Sequence, residues 1–101
     1  MFRQLLNRFS KKIGIDLGTT QTVISLQDKG IIIAEPTIVA INNKLDQIIA
    51  VGSDARKMVG KNPKHITLAY PLIGGVINDF EVTEKMFKYF FDKIFRENFN
   101  F

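Results

Sequence analysis

The sequence predicts an α/β fold on three grounds. From Lys12 to Gly52 its apolar residues fall in short blocks or alternate, and Gly, Asn, Asp and Pro punctuate them as in a run of strands. Over residues 80–98 the apolar positions instead recur at spacings of three and four, the period of a helix. A short helical stretch and two extended pieces lie between, giving the order β-β-β-β-β-α-β-α of an α/β or α+β protein. With 101 residues the chain fits one small domain at most, and a domain of that size buries only about 60–65% of its unfolded surface.

The first segment, "MFRQLLNRFSKK", stands apart. Met1, Phe2, Leu5, Leu6 and Phe9 form one apolar helical stripe, and Arg3, Arg8 and Lys11 lie off it, followed by Lys12. Such a helix suits a membrane surface, with its stripe at the acyl boundary and its cations on anionic headgroups. It equally suits packing on the protein's own core. Phe2 and Phe9 fall on the stripe instead of interleaving with a basic groove, which argues against nucleic acid.

The elements then follow in order. "KIGIDL" and "TVISLQ" read as strands, and Asp28-Lys29-Gly30 turns the chain into "IIIAE". Pro36 breaks that run before the strand "TIVAIN"; "NNKLD" turns, and "QIIAVG" is the next strand. Ser53 is placed as N-cap of a helix "DARKMV" closed by Gly60. "ITLAYPL" and "GVIND" are extended pieces separated by Pro71 and Gly74-Gly75. Asp79 is placed to cap the last helix, whose stripe is Val82, Met86, Phe87, Phe90, Phe91, Ile94 and Phe95. That stripe is wide enough to suggest cover from parts of a fuller domain.

Composition narrows the chemistry. The apolar share is 46% and the charged share 24%, as in ordinary globular proteins. With no cysteine there is neither disulfide nor thiolate metal site, and His65, the one histidine, cannot build a metal cluster alone. The net charge of +4 comes with no patterned nucleic-acid motif. No apolar run reaches the 18 or so residues that would span a bilayer, and charges interrupt every stretch that could serve as a secretory leader. Glu35, Asp46, Asp54, Glu81 and Glu84 read as caps or solvated charges. Asp79 has a second reading, as an acid near a cleft, and no residue is put forward as catalytic.

The stretch "DLGTTQT" carries the most chemistry. A phosphate needs inward-pointing N–H groups, hydroxyl donors and a carboxylate that can hold Mg²⁺ through water. Asp16, Gly18, Thr19, Thr20 and Thr22 supply all three within seven residues, with Gly18 allowing close backbone approach. A plain hairpin turn accounts for the same residues.

"IGIDLGTTQT" resembles the first phosphate loop of the actin-like ATPase superfamily, which includes sugar kinases, heat-shock chaperones and actin. "GIIIAEPTIVAINN", "IIAVGSDARKMVGKNP" and "PLIGGVINDFEVTEKMFKYF" extend the match over roughly residues 12–95, specifically to the rod-shape-determining MreB family. Two departures stand out: Thr20-Gln21 where the family usually has Ala-Asn, and Ile73-Gly74 where it often has charged residues.

The resemblance implies the N-terminal part of an actin-like (ribonuclease H-like) ATPase domain with a small β-rich inserted subdomain. Residues 1–11 would be a membrane-binding helix that uses Phe2, Arg3, Leu5, Leu6, Arg8 and Phe9. Residues 12–30 and 66–101 would be partial subdomain IA, and residues 31–65 the inserted subdomain IB. Asp16, Gly18, Thr19, Thr20 and Gln21 would hold the phosphates of ATP, with Asp16 on Mg²⁺ through water. The implied protein is a bacterial, cytoplasmic actin homologue on the inner face of the membrane. Its partners would be its own filament subunits, the membrane surface and the cell-wall elongation machinery, not nucleic acid. Family members are about three times longer and carry a second phosphate loop, so the chain is expected to be an N-terminal portion that is inactive alone. A fragment of another superfamily ATPase or sugar kinase, or a stand-alone membrane-binding module, is the alternative.

Overall fold

The computed structural model describes residues 13–27 and 29–98, so the expected front helix and its Phe2, Arg3, Leu5, Leu6, Arg8 and Phe9 lie outside the described residues. β1 (Ile13–Leu17), β2 (Gln21–Leu26) and β3 (Gly30–Pro36) form an antiparallel meander in the order β1-β2-β3. Along β2 the alternation places Thr22, Ile24 and Leu26 on the buried face. β1 is an edge strand, and Ile15 on it remains 40% exposed although its cross-strand partner Ile24 is fully buried.

A second sheet follows, ordered β5-β4-β6, from β4 (Val39–Asn42), β5 (Gln47–Val51) and β6 (Ile66–Ala69). Hydrogen bonding therefore puts β3 with the first sheet and β6 with the second. Between β5 and β6 lies α1 (Ser53–Arg56), shorter than the sequence suggests, with turns continuing to Lys61. Its cap also differs from expectation. The N-cap is Gly52 with φ 69°, and no side chain of its own closes the helix. Instead the Glu35 carboxylate accepts the Ser53 N–H at 2.9 Å and the Ser53 hydroxyl at 3.2 Å. A Cβ on Gly52 would collide with that carboxylate.

β7 (Leu72–Ile73) and β8 (Val76–Ile77) form a hairpin closed by Gly74 and Gly75, whose φ values of 59° and 79° are those a two-residue primed turn requires. α2 (Phe80–Asn98) comes last. Asp79 caps it as the sequence suggests: its carboxylate accepts the Val82 N–H at 3.1 Å, and its carbonyl accepts the Thr83 hydroxyl at 2.7 Å.

The core sits where α2 meets both sheets. Met86, Phe87, Phe90, Phe91 and Ile94 of α2 are buried against Ile24, Leu26 and Ile33 of the first sheet and Val39 and Val51 of the second. The rings of Phe87 and Phe91 stack, with centroids 6.2 Å apart. The wide stripe thus finds most of its cover inside the chain, because two sheets share one helix. A smaller cluster of Ile38, Ala40, Ala50, Ala55 and Ile66 lies under α1. β4 serves both clusters, sending Val39 to the first and Ala40 to the second.

Candidate phosphate-binding loop

The loop joining β1 to β2 is a tight turn in which the Gly18 N–H donates to the Gln21 carbonyl at 3.0 Å. A Cβ on Gly18 would stand 2.7 Å from that oxygen, so this position needs glycine for close approach. The turn is fastened from below by two buried hydroxyls. Thr37 donates to the Gly18 carbonyl at 2.8 Å, and its oxygen lies 2.8 Å from the Thr22 hydroxyl. A carbonyl can only accept, so the one Thr37 proton is spent on Gly18 and Thr22 must be the donor to Thr37. The Thr37 N–H also reaches the Thr20 carbonyl at 3.1 Å.

Fixing the Gly18 carbonyl fixes the peptide plane behind it. In a trans peptide the N–H points opposite to the C=O, so the Thr19 N–H is turned away from the Thr22–Thr37 relay. The Thr19 hydroxyl accepts the Gly75 N–H, tying the loop to the β7–β8 hairpin while leaving its own proton free to donate.

Thr19 and Thr20 line a cavity of about 580 Å³, whose other walls include Pro36, Thr37, Ile38, Arg56, Val59, Tyr70 and Leu72. Gly18 and Gln21 complete the same turn without lining the cavity. Asp16 is exposed on β1, opposite Val23, and also stands outside the lining. Thr22, which the sequence offers as a third phosphate donor, is fully buried and works as a support. Its place on the face of Ile24 and Leu26 was the available signal. Thr37 and Arg56 lie in stretches that carry the family resemblance, yet sequence reasoning assigns neither them nor Tyr70 to the site, because folding brings them to the loop from 15 or more residues away.

The family model described as MreB/Mbl protein matches residues 10–101. The chain belongs to the MreB/Mbl family. Among its relatives, the cell shape-determining protein Mbl of Bacillus cereus is 49% identical over 86 residues, 85% of this chain and 26% of that protein. The cell shape-determining protein MreB of Pasteurella multocida is 43% identical over 103 residues, 98% of this chain and 29% of that protein. The crystal structure of MreB5 of Spiroplasma citri bound to ADP superposes with a TM-score of 0.75 at 36% identity, covering 81% of this chain and 25% of that one. The same protein bound to AMPPNP gives a TM-score of 0.76. The expected actin-like α/β fold is thereby shown, and a sugar-kinase origin is set aside. This MreB/Mbl chain spans between a quarter and a third of the length of the relatives it matches.

Proposed function

We propose that this chain supplies the first phosphate loop of a cell-shape-determining, ATP-binding actin homologue, which polymerises into membrane-associated filaments that guide cell-wall synthesis. The observation that carries the reading is the pinned Gly18–Gln21 turn, with Thr19 and Thr20 on the cavity wall. That its structural neighbour is described as bound to ADP and to AMPPNP supports the same ligand class here.

In this reading Thr19, Thr20, Gly18 and Gln21 surround the phosphates. Asp16 is an exposed carboxylate one residue pair before the turn. It fits a cation held through water, because Mg²⁺ keeps most of its own waters and accepts a single protein carboxylate. When bound, Mg²⁺ neutralises phosphate charge. In this reading the inserted subdomain is the second sheet with α1, which runs past the expected bounds of 31–65 to take in β6 and leaves β3 with the meander in subdomain IA. Residues 1–11 supply the membrane contact. Hydrolysis needs a second phosphate loop and a water-positioning acid, which the resemblance does not place within these 101 residues.

Titrating Mg·ATP and Mg·ADP into the full natural polypeptide that carries this sequence tests the reading. Thr19→Ala should weaken both nucleotides by about tenfold, the scale of one hydrogen bond to a charged group. Unchanged affinities, or no binding by the wild type, would overturn it.

A further inference from the structure

Arg56 stands on the cavity wall with Thr19 and Thr20, yet it comes from the opposite unit of the molecule. Among the described residues it forms no ion pair, whereas its neighbour Lys57 pairs with Asp54 at 3.6 Å. Its backbone is firmly placed. Ala55 beside it is fully buried, its own N–H donates to the Gly52 carbonyl at 2.9 Å, and Glu35 clamps Ser53 three residues earlier. An uncompensated guanidinium on a fixed backbone therefore borders the same space as the phosphate loop.

The loop itself lacks what Arg56 offers. It presents N–H groups and hydroxyls but no cation, and the charged side chain that precedes it on β1 is Asp16, an anion. A nucleoside triphosphate brings several negative charges, and its terminal phosphate has the most charge and three unbridged oxygens. A guanidinium fork engages such a group bidentately and suits it better than a point cation does. The cavity, about 580 Å³, falls in the range of small-ligand sites and leaves room for phosphates between the two walls.

We propose that Arg56 is a second binding residue for the nucleotide, reading the terminal phosphate of a nucleoside triphosphate across the cavity from Thr19 and Thr20. The proposal rests on the phosphate-loop reading above and adds to it a sensor of the third phosphate, carried by the inserted β-rich unit. Triphosphate would then bridge the two sheets' units, and diphosphate would leave Arg56 unengaged.

The experiment compares Mg·ATP and Mg·ADP affinities by calorimetry in the full natural polypeptide and its Arg56→Ala, Arg56→Lys, Thr19→Ala and Lys57→Ala variants. Arg56→Ala should weaken ATP by about tenfold or more and ADP by less than about twofold. Arg56→Lys should fall between Arg56→Ala and wild type for ATP, and Lys57→Ala should match wild type for both. Arg56 is exposed and unpaired, so the melting temperature of Arg56→Ala should stay at the wild-type value. If Thr19→Ala weakens both nucleotides while Arg56→Ala weakens neither, or both equally, the Arg56 assignment is overturned and the loop stands. If wild type binds neither nucleotide, loop and assignment fall together.

Discussion

Thr22 and Thr37 put two hydroxyls where the sequence pattern around them is apolar, and the Thr22 proton has its acceptor in Thr37. Thr37 is 2% exposed and Thr22 fully buried. Removing Thr37 strands the Thr22 hydroxyl and the Gly18 carbonyl, which costs about 1–3 kcal/mol, whereas removing Thr22 leaves Thr37 still donating to Gly18. Thr37→Val should therefore destabilise the chain by about 1–3 kcal/mol, and Thr22→Val by less, because the Thr37–Gly18 bond survives it. The double variant should lose less than their sum by at least about 0.5 kcal/mol. Denaturant midpoints of the four proteins close that cycle, and strict additivity would mean that the relay carries no shared energy. At this scale the sequence exposed the chemistry of "DLGTTQT" but not its division of labour. The spacing shows seven consecutive residues, and the partner that holds them up is Thr37, fifteen residues beyond Thr22.

α2 is the element most fully legible in the sequence, since its period, its cap and its stripe are all local. Asp79 accepts the Val82 N–H and lies at the positive end of the helix macrodipole. Asp79→Ala should cost about 1 kcal/mol, while Asp79→Asn and Asp79→Ser, both good caps, should cost about half of that or less. In a chain of this size 1 kcal/mol moves the melting temperature by about 4–8 °C, so thermal unfolding ranks the three variants. α1 shows the opposite case. Ser53 has the residue type of a cap, yet the acceptor that satisfies its N–H is Glu35 on β3, and no local pattern announces that contact. The sheets were legible as strands but only in part as partners. β3 to β2 is a local hairpin that the turn residues announce, whereas β6 to β4 is a non-local pairing that turn residues alone do not decide.

For the whole molecule, the membrane contact proposed above rests on the front segment. Burying Phe2, Leu5, Leu6 and Phe9 could yield about 1.5–3 kcal/mol per fully buried side chain. Interfacial burial is partial, and ordering about ten residues costs about 1–2 kcal/mol each. These contributions nearly cancel, which leaves the decision to Arg3, Arg8, Lys11 and Lys12, at about 1 kcal/mol for each cation near an anionic surface. Co-sedimentation with vesicles should accordingly require anionic lipid and decline with salt, because screening acts over about 8–10 Å at physiological ionic strength. Phe2→Glu combined with Leu6→Glu should abolish it with the melting temperature unchanged. Equal sedimentation of wild type and double variant would return the segment to the protein's own core. β4 has a different consequence at this scale. Its neighbouring residues Val39 and Ala40 face two separate cores, and side chains change face with every residue along a strand. A slip of one position would push valine into the alanine-lined space beneath α1 and leave a hole beneath the phenylalanines. The strand thus works like a key cut on both edges: either lock alone would reject the wrong register, and here the two must turn together.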